Sequence, residues 1–185
     1  MPDTKKNCPG SKIGLVDTIA LATTDSPIGE LTVAARGSKV CLVHFGPIDR
    51  YVRTTLARWY PDAQVEPGKD PGGVLKVLAR YFSGDLASLD EVVVELHGTS
   101  FQQRVWLALR TVTAGTTASY AELADRVGAA SAVRAVGAAN GANPVAVVLP
   151  CHRIIGSNGS LTGYGGGLDR KRWLLDHEGV NRTLF

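Results

Sequence analysis

The segment Asn143-Pro144-Val145-Ala146-Val147-Val148-Leu149 is apolar almost throughout and stops at Pro150-Cys151-His152-Arg153. Such a run belongs inside, so the chain has to build a core around it and bring Cys151 to the point where a buried element ends. A thiol beside a histidine and an arginine has help in becoming a thiolate, which is the reactive form. Beyond it the chain runs into Gly163-Tyr164-Gly165-Gly166-Gly167. A rigid apolar run, a nucleophile and then a glycine-rich loop is one way of presenting an active-site thiol. The plainer alternative is a small core residue, since free cysteines are among the most buried side chains.

The 185 residues fit one large domain or two small ones, and 44% hydrophobic against 20% charged residues is enough to pack a core and to exclude global disorder. The formal net charge of +3 is compatible with nucleic acid without requiring it. Cys8, Cys41 and Cys151 are odd in number and have no framework spacing, which suits free thiols in a reducing compartment. No stretch approaches the roughly 20 apolar residues of a membrane span, and the start Met-Pro-Asp-Thr-Lys-Lys does not read as a signal peptide. A cytoplasmic protein with a polar extension over 1–18 is expected.

Two halves follow. Ile19 to Ala35 reads as a β-hairpin turning at Asp25-Ser26-Pro27-Ile28-Gly29, and Val40 to Phe45 as a further strand. Tyr51 to Trp59 and Val74 to Phe82 have helical spacing, and Glu91 to Leu96 reads as strand. A boundary is placed near His97-Gly98-Thr99, giving domains over 19–97 and 98–185. The second half is mostly helical. Ser100 to Leu109 carries Phe101, Val105, Trp106 and Leu109 on one face, and Ser119-Tyr120-Ala121-Glu122 has the capping-box form. That helix ends at Val127-Gly128, and another is expected from Ala132 to about Asn140 with Ser131 as its N-cap, a helix-turn-helix arrangement.

The second of these helices gathers Arg134, Gly137, Ala138 and Gly141 on one face. Small residues with a single arginine let something large approach the backbone. A DNA groove is one candidate, with Arg134 reaching a phosphate or filling a gap in the base stack; another helix is the other. On the last helix, near Asp169 to His177, Lys171, Leu174, Leu175 and Glu178 share one side. A buried carboxylate there needs partners and could polarise His152 in a Cys-His-Glu relay; otherwise it is a solvated charge.

Taken in order and spacing, Ser119-Tyr120, Arg134-Ala135-Val136-Gly137, Asn143-Pro144, Pro150-Cys151-His152-Arg153 and Gly163-Tyr164-Gly165-Gly166-Gly167, with Lys171 and Glu178 beyond, resemble the O6-alkylguanine-DNA alkyltransferases, also called methylated-DNA–protein-cysteine methyltransferases. The resemblance covers about residues 19 to 179. It implies an α+β fold, with a ribonuclease-H-like N-terminal α/β domain followed by a mostly helical winged helix-turn-helix domain. It implies direct-reversal DNA repair, in which Cys151 takes the alkyl group from O6-alkylguanine, and from O4-alkylthymine, in double-stranded DNA. His152 would remove the thiol proton through a water, Glu178 would hold His152, and Asn143 would be the hinge beside the thiol. Tyr120 would help rotate the nucleotide and assist the departing guanine, and Arg134 would fill the vacated space. Ala121 would meet the DNA backbone, and Ser157, Tyr164 and Gly165 would surround the base.

The residues make chemical sense of this. The target carbon lies inside a duplex, so the base has to be extruded. A free thiol is mostly protonated at neutral pH and needs a base. Transfer leaves a thioether, which nothing in the sequence can cleave, so one turnover per molecule is expected, with no cofactor and no small-molecule methyl donor. The glycine run lacks the Gly-Lys-Ser/Thr ending of a phosphate-binding loop and reads as a base-pocket loop. Many family members have serine where this chain has Gly165, so a roomier pocket is expected. No zinc-cysteine sensor cluster is seen, and Cys8, Cys41, His44 and His97 lack standard zinc spacing, so no metal is expected. Three rival readings are a lesion-binding relative that performs no transfer, a Cys-His hydrolase, and a helix-turn-helix regulator. The presence of Cys151 weighs against the first, and the scarcity of base-reading side chains against the last.

Overall fold

The computed structural model describes residues 17–180, so nearly all of the polar extension over 1–18 lies outside the described residues. The architecture is mixed α+β. Strands β1 (Thr18–Thr24), β2 (Leu31–Arg36) and β3 (Lys39–Phe45) form an antiparallel meander, and β4 (Gln64–Pro67) adds in parallel to β1, giving the order β3-β2-β1-β4. Helix α1 (Arg50–Trp59), started by Asp49 accepting from the Val52 N–H at 2.9 Å, precedes β4, and α2 (Val74–Phe82) follows it. The hairpin, β3 and both helices were legible as alternation and helical spacing. Strand β4 was not, because all four of its residues are exposed and no apolar alternation marks them.

Side-chain alternation splits the sheet between two cores. Ile19, Ala34, Cys41 and Leu42 pack with Val52 and Leu56 of α1, whereas Leu31, Val33, Ala35, Val40 and Val43 join a larger cluster containing Leu78 and Tyr81 of α2. That larger cluster continues through Val105, Trp106, Val136, Val147, Cys151 and Leu174, so side chains from both sides of His97-Gly98 share it.

The second half is built from α3 (Ser100–Leu109), β5 (Ala118–Ser119), α4 (Tyr120–Arg126), α5 (Val133–Gly141), β6 (Ile154–Ile155) and α6 (Leu168–His177). Capping boxes start α3 (Thr99 with Gln102) and α4 (Ser119 with Glu122). The start of α5 differs from expectation. Ser131 lies inside a 3-10 turn, Ala130–Ala132, and α5 begins at Val133 with no side-chain cap, because the tighter turn takes up the residue that would have capped it. The Trp106 indole donates to the Ala139 carbonyl at 2.7 Å and ties α3 to α5.

The free edge of β3 locks the two halves together. The strand expected over Glu91–Leu96 is replaced by a 3-10 turn, Leu86–Glu91, and a single parallel bridge, Val94 to Val40. Further pairing is blocked because the next stretch of the same edge is already occupied. Val43 donates to the Pro144 carbonyl and accepts from the Ala146 N–H, both at 3.0 Å. The apolar run leading to Cys151 is therefore docked on the N-terminal sheet.

Candidate active site

The approach to the cysteine is neither helix nor strand but a buried, tightly wound turn. Leu149 N–H bonds Val145 O at 2.9 Å, Val148 N–H bonds Ala146 O at 2.8 Å, and Cys151 N–H bonds Leu149 O at 2.8 Å. Val147 sits at φ 69°, fully buried. A β-branched residue in the left-handed region stores strain of about 1–3 kcal/mol, held here by burial on all sides. Asn143 staples this turn. Its Oδ1 accepts from Val145 N–H at 3.0 Å, and its Nδ2 donates to Leu149 O at 2.7 Å and to the Cys151 sulfur at 3.1 Å.

Cys151 opens a single 3-10 turn with His152 and Arg153, and all three are buried. Burial pushes the thiol up from its ordinary value, opposed by the Asn143 hydrogen bond and the positive charge of Lys171. The Lys171 ammonium is itself buried and donates to Ile154 O at 2.6 Å and Thr162 O at 2.8 Å. Burial lowers its pKa to about 8.

Behind the sulfur lies a closed charge cluster. Glu178 caps the C-terminal end of α6 and is buried rather than solvated. A carboxylate is disfavoured there by the helix dipole, so its partners have to compensate. Arg153 grips it with two bonds, Nε to Oε2 at 2.8 Å and Nη2 to Oε1 at 2.9 Å, while Nη1 donates to Val112 O at 2.6 Å. His152 Nε2 lies 2.9 Å from Oε1, and the Tyr81 hydroxyl of α2 donates to the same oxygen at 2.7 Å. Burial pushes Glu178 up, but the bonds and charges of His152 and Arg153 outweigh it and hold the carboxyl far below its usual range. Burial pulls His152 down, only partly opposed by Glu178, so the imidazole is neutral at neutral pH. An ionised carboxylate only accepts, so Nε2 carries the proton and Nδ1 keeps its lone pair. Nδ1 is buried without a hydrogen-bond partner, and among the described residues no hydrogen bond joins the sulfur to the imidazole.

In front of the sulfur lies a cavity of about 280 Å³, lined by Cys151, Asn143, Asn140, Tyr164 and Gly165 together with Phe45 of β3. The Tyr164 ring meets Phe45 edge-on at 5.7 Å. A Cβ on Gly166 would come within 2.6 Å of the Phe45 ring, so the loop can close on the sheet only with glycine there. At Gly165 the nearest atom to an added Cβ is Gly141 O at 4.0 Å, so the wall is open where a side chain could stand. The β5–β6 pairing sets Ser119 against Ile155, which brings Tyr120 close to the segment after the cysteine. Its hydroxyl is 3.4 Å from the Thr162 and Gly163 carbonyls, at the edge of the cavity.

The outer face of α5 carries Arg134, Ala138 and Gly141, all exposed, with Gly137 half-buried beside the Tyr120 ring. Only Gly137 of this face meets another helix among the described residues, through Tyr120 of α4; Arg134, Ala138 and Gly141 stay exposed. Ala121 is exposed on the first turn of α4. Ser157 is exposed in the turn closed by Gly156 N–H to Ser160 O at 2.9 Å and does not line the cavity. Sequence marks Arg153 only as a neighbour of the thiol and gives no sign of Tyr81 and Phe45, whose apolar and aromatic contexts on α2 and β3 look like ordinary core. Of the metal-ligand candidates, Cys8 lies outside the described residues, and no group of three or more metal-binding side chains occurs among the described ones. No helix among them is long and apolar enough to cross a membrane.

A family model described as 6-O-methylguanine DNA methyltransferase, DNA binding domain, matches residues 100–180. Over 156 residues the chain is 50% identical to a methylated-DNA–protein-cysteine methyltransferase of Mycobacterium bovis, covering 84% of this chain and 90% of the relative. The chain belongs to the methylated-DNA–protein-cysteine methyltransferase family. Its fold is similar to the crystal structure of the family's Mycobacterium tuberculosis member, an O6-methylguanine methyltransferase, with TM-score 0.73 and 44% identity over 87% of this chain and 93% of that one. A crystal structure of a Mycobacterium tuberculosis methyltransferase in complex with DNA matches with TM-score 0.72 and 44% identity, over 88% of this chain and 92% of that one.

Proposed function

We propose that this protein reverses alkylation damage in double-stranded DNA, moving a methyl or other alkyl group from O6 of guanine, and from O4 of thymine, to Cys151 once per molecule. The observation that carries the reading is the position of the Cys151 sulfur between the cavity and the buried His152–Glu178–Arg153 cluster. Family membership and the DNA complex of a relative support DNA as the partner.

In this reading the winged helix-turn-helix part, 98–185, presents α5 to the minor groove. The ribonuclease-H-like part, 19–97, buttresses the cysteine turn through β3. Arg134 fills the gap left by the extruded nucleotide, Tyr120 turns it and assists its departure, Ala121 meets the DNA backbone, and Ser157 contacts the DNA from the loop around the base. Tyr164 and Gly165 wall the base. His152, oriented by Glu178, takes the thiol proton through a water, and Asn143 holds the sulfur. The thiolate attacks the alkyl carbon, an S–C bond forms and the C–O bond breaks. The electron pair stays with the guanine, which takes up a proton and returns to its normal form. The alkyl donor is the damaged base itself, so no cofactor or small-molecule donor enters. The product thioether has no neighbour able to cleave it, which makes the reaction stoichiometric. Buried free thiols at Cys41 and Cys151 suit the reducing cytoplasm.

Progress curves on a duplex carrying O6-methylguanine test this. Repair should stop at one equivalent per protein molecule with a gain of one methyl mass. Repeated turnover points to a hydrolase, and binding without a mass gain to a lesion-flagging protein.

A further inference from the structure

We infer that Tyr81, contributed by the N-terminal half, is a positioning residue that sets the basicity of the His152–Glu178 pair. The inference rests on the relay proposed above. Three donors converge on Glu178 Oε1: Tyr81 Oη at 2.7 Å, Arg153 Nη2 at 2.9 Å and His152 Nε2 at 2.9 Å. An oxygen shared in this way gives less of its charge to each donor. Whatever the phenol takes, the imidazole loses. A weaker pull on the Nε2 proton leaves Nδ1 a weaker base and keeps His152 neutral to lower pH.

The placement of the phenol is fixed from both ends. Tyr81 is fully buried, and its own carbonyl accepts from His177 Nε2 at 2.8 Å, so α2 and α6 are joined on either side of Glu178. Burial and the neighbouring carboxylate keep the hydroxyl protonated far above neutral pH, so it stays a donor through the working range. The other charged and titratable groups around the pair are Arg153 beside Glu178, Lys171 of α6 and Cys151, with Tyr164 across the cavity side. Among the described residues that donate to Glu178, only Tyr81 comes from outside the segment that follows the boundary near residue 97. The N-terminal half thus reaches the proton relay directly, through one hydroxyl.

The test is the pH dependence of single-turnover transfer from an O6-methylguanine duplex, together with NMR titration of the His152 ring in full-length protein. Tyr81→Phe removes one oxygen and keeps the ring. The His152 titration and the acid limb of the rate profile should both move to higher pH, by about half a unit to one unit, so that transfer on the acid limb falls about threefold to tenfold while the alkaline plateau is kept. Site-specific 3-fluorotyrosine at position 81, a stronger donor of the same shape, should move both in the opposite direction. A uniformly scaled profile with an unmoved limb in both variants overturns the inference and leaves Tyr81 a packing residue. Glu178→Gln separates this from failure of the relay itself: if that variant keeps the wild-type acid limb, the relay reading is wrong, whatever Tyr81 does.

Discussion

Behind Cys151, the Glu178–Arg153 ion pair is buried and bonded together with His152 and the neutral Tyr81 hydroxyl, and these groups come from α2, the cysteine turn and the end of α6. In front of it, along α5, the surface is exposed, nearly free of side chains and carries one arginine. The first region is closed by its own hydrogen bonds except at His152 Nδ1, which is buried without a partner; the second presents backbone and small side chains to its surroundings. In the proposed reading, stability and proton chemistry belong to the rear, and recognition to the front. Substitutions on the two sides should therefore fail differently.

The largest effect is expected where the regions meet. Cys151→Ser should abolish transfer while leaving duplex binding intact, measured by mass analysis and by titration of a fluorescent duplex. Loss of both together would tie the sulfur to binding. Next comes the rear. Arg153→Met leaves Glu178 buried without its cation and should lower stability to urea by about 3–5 kcal/mol; a loss below about 1 kcal/mol would mean the pair is solvent-screened. The acid dependence follows from the same groups. Glu178 is held below its ordinary value when folded, so its contribution is present above the unfolded value of about 4.3 and is lost as pH falls through the folded one. His152 is also held down, so the unfolded chain takes up a proton from about pH 6.5 downward that the folded protein resists, and stability falls there too. Urea titrations from pH 7 to 3 should show a decline, with a shallower part below about pH 4.3 in Arg153→Met.

On the front, Arg134→Ala should leave stability within about 0.5 kcal/mol, since the side chain is exposed. Transfer from duplex should slow by about tenfold, with little change on free alkylated base. Equal losses on both substrates would remove Arg134 from the role of finger. The smallest effect is expected at the cavity wall. Gly165→Ser has room for its Cβ, so the fold should be unchanged while transfer of a benzyl group slows by about threefold relative to methyl. An unchanged ratio would mean that this wall does not gauge the alkyl group.

The front was more legible in sequence than the rear. Arg134, Gly137, Ala138 and Gly141 fall on one helical face by spacing alone, and the capping box at Ser119 placed Tyr120 at a helix start. Local periodicity carries that information. The rear is assembled from residues far apart in the chain, as Tyr81 and Glu178 are, and no local pattern records which buried tyrosine meets which carboxylate. The turn before Cys151 was legible only as a buried element, for a related reason. Its apolar composition announces burial, but the winding around Val147 and the docking on β3 depend on which sheet edge is free. That same competition for one edge removed the strand expected over Glu91–Leu96.

Peptide mapping after exposure to a duplex bearing isotopically labelled O6-methylguanine tests the central claim most directly. The label should be found on the peptide containing Cys151, as a methyl thioether, at up to one per protein chain. Label on another residue, or release of the methyl group to water with Cys151 unmodified, would contradict it.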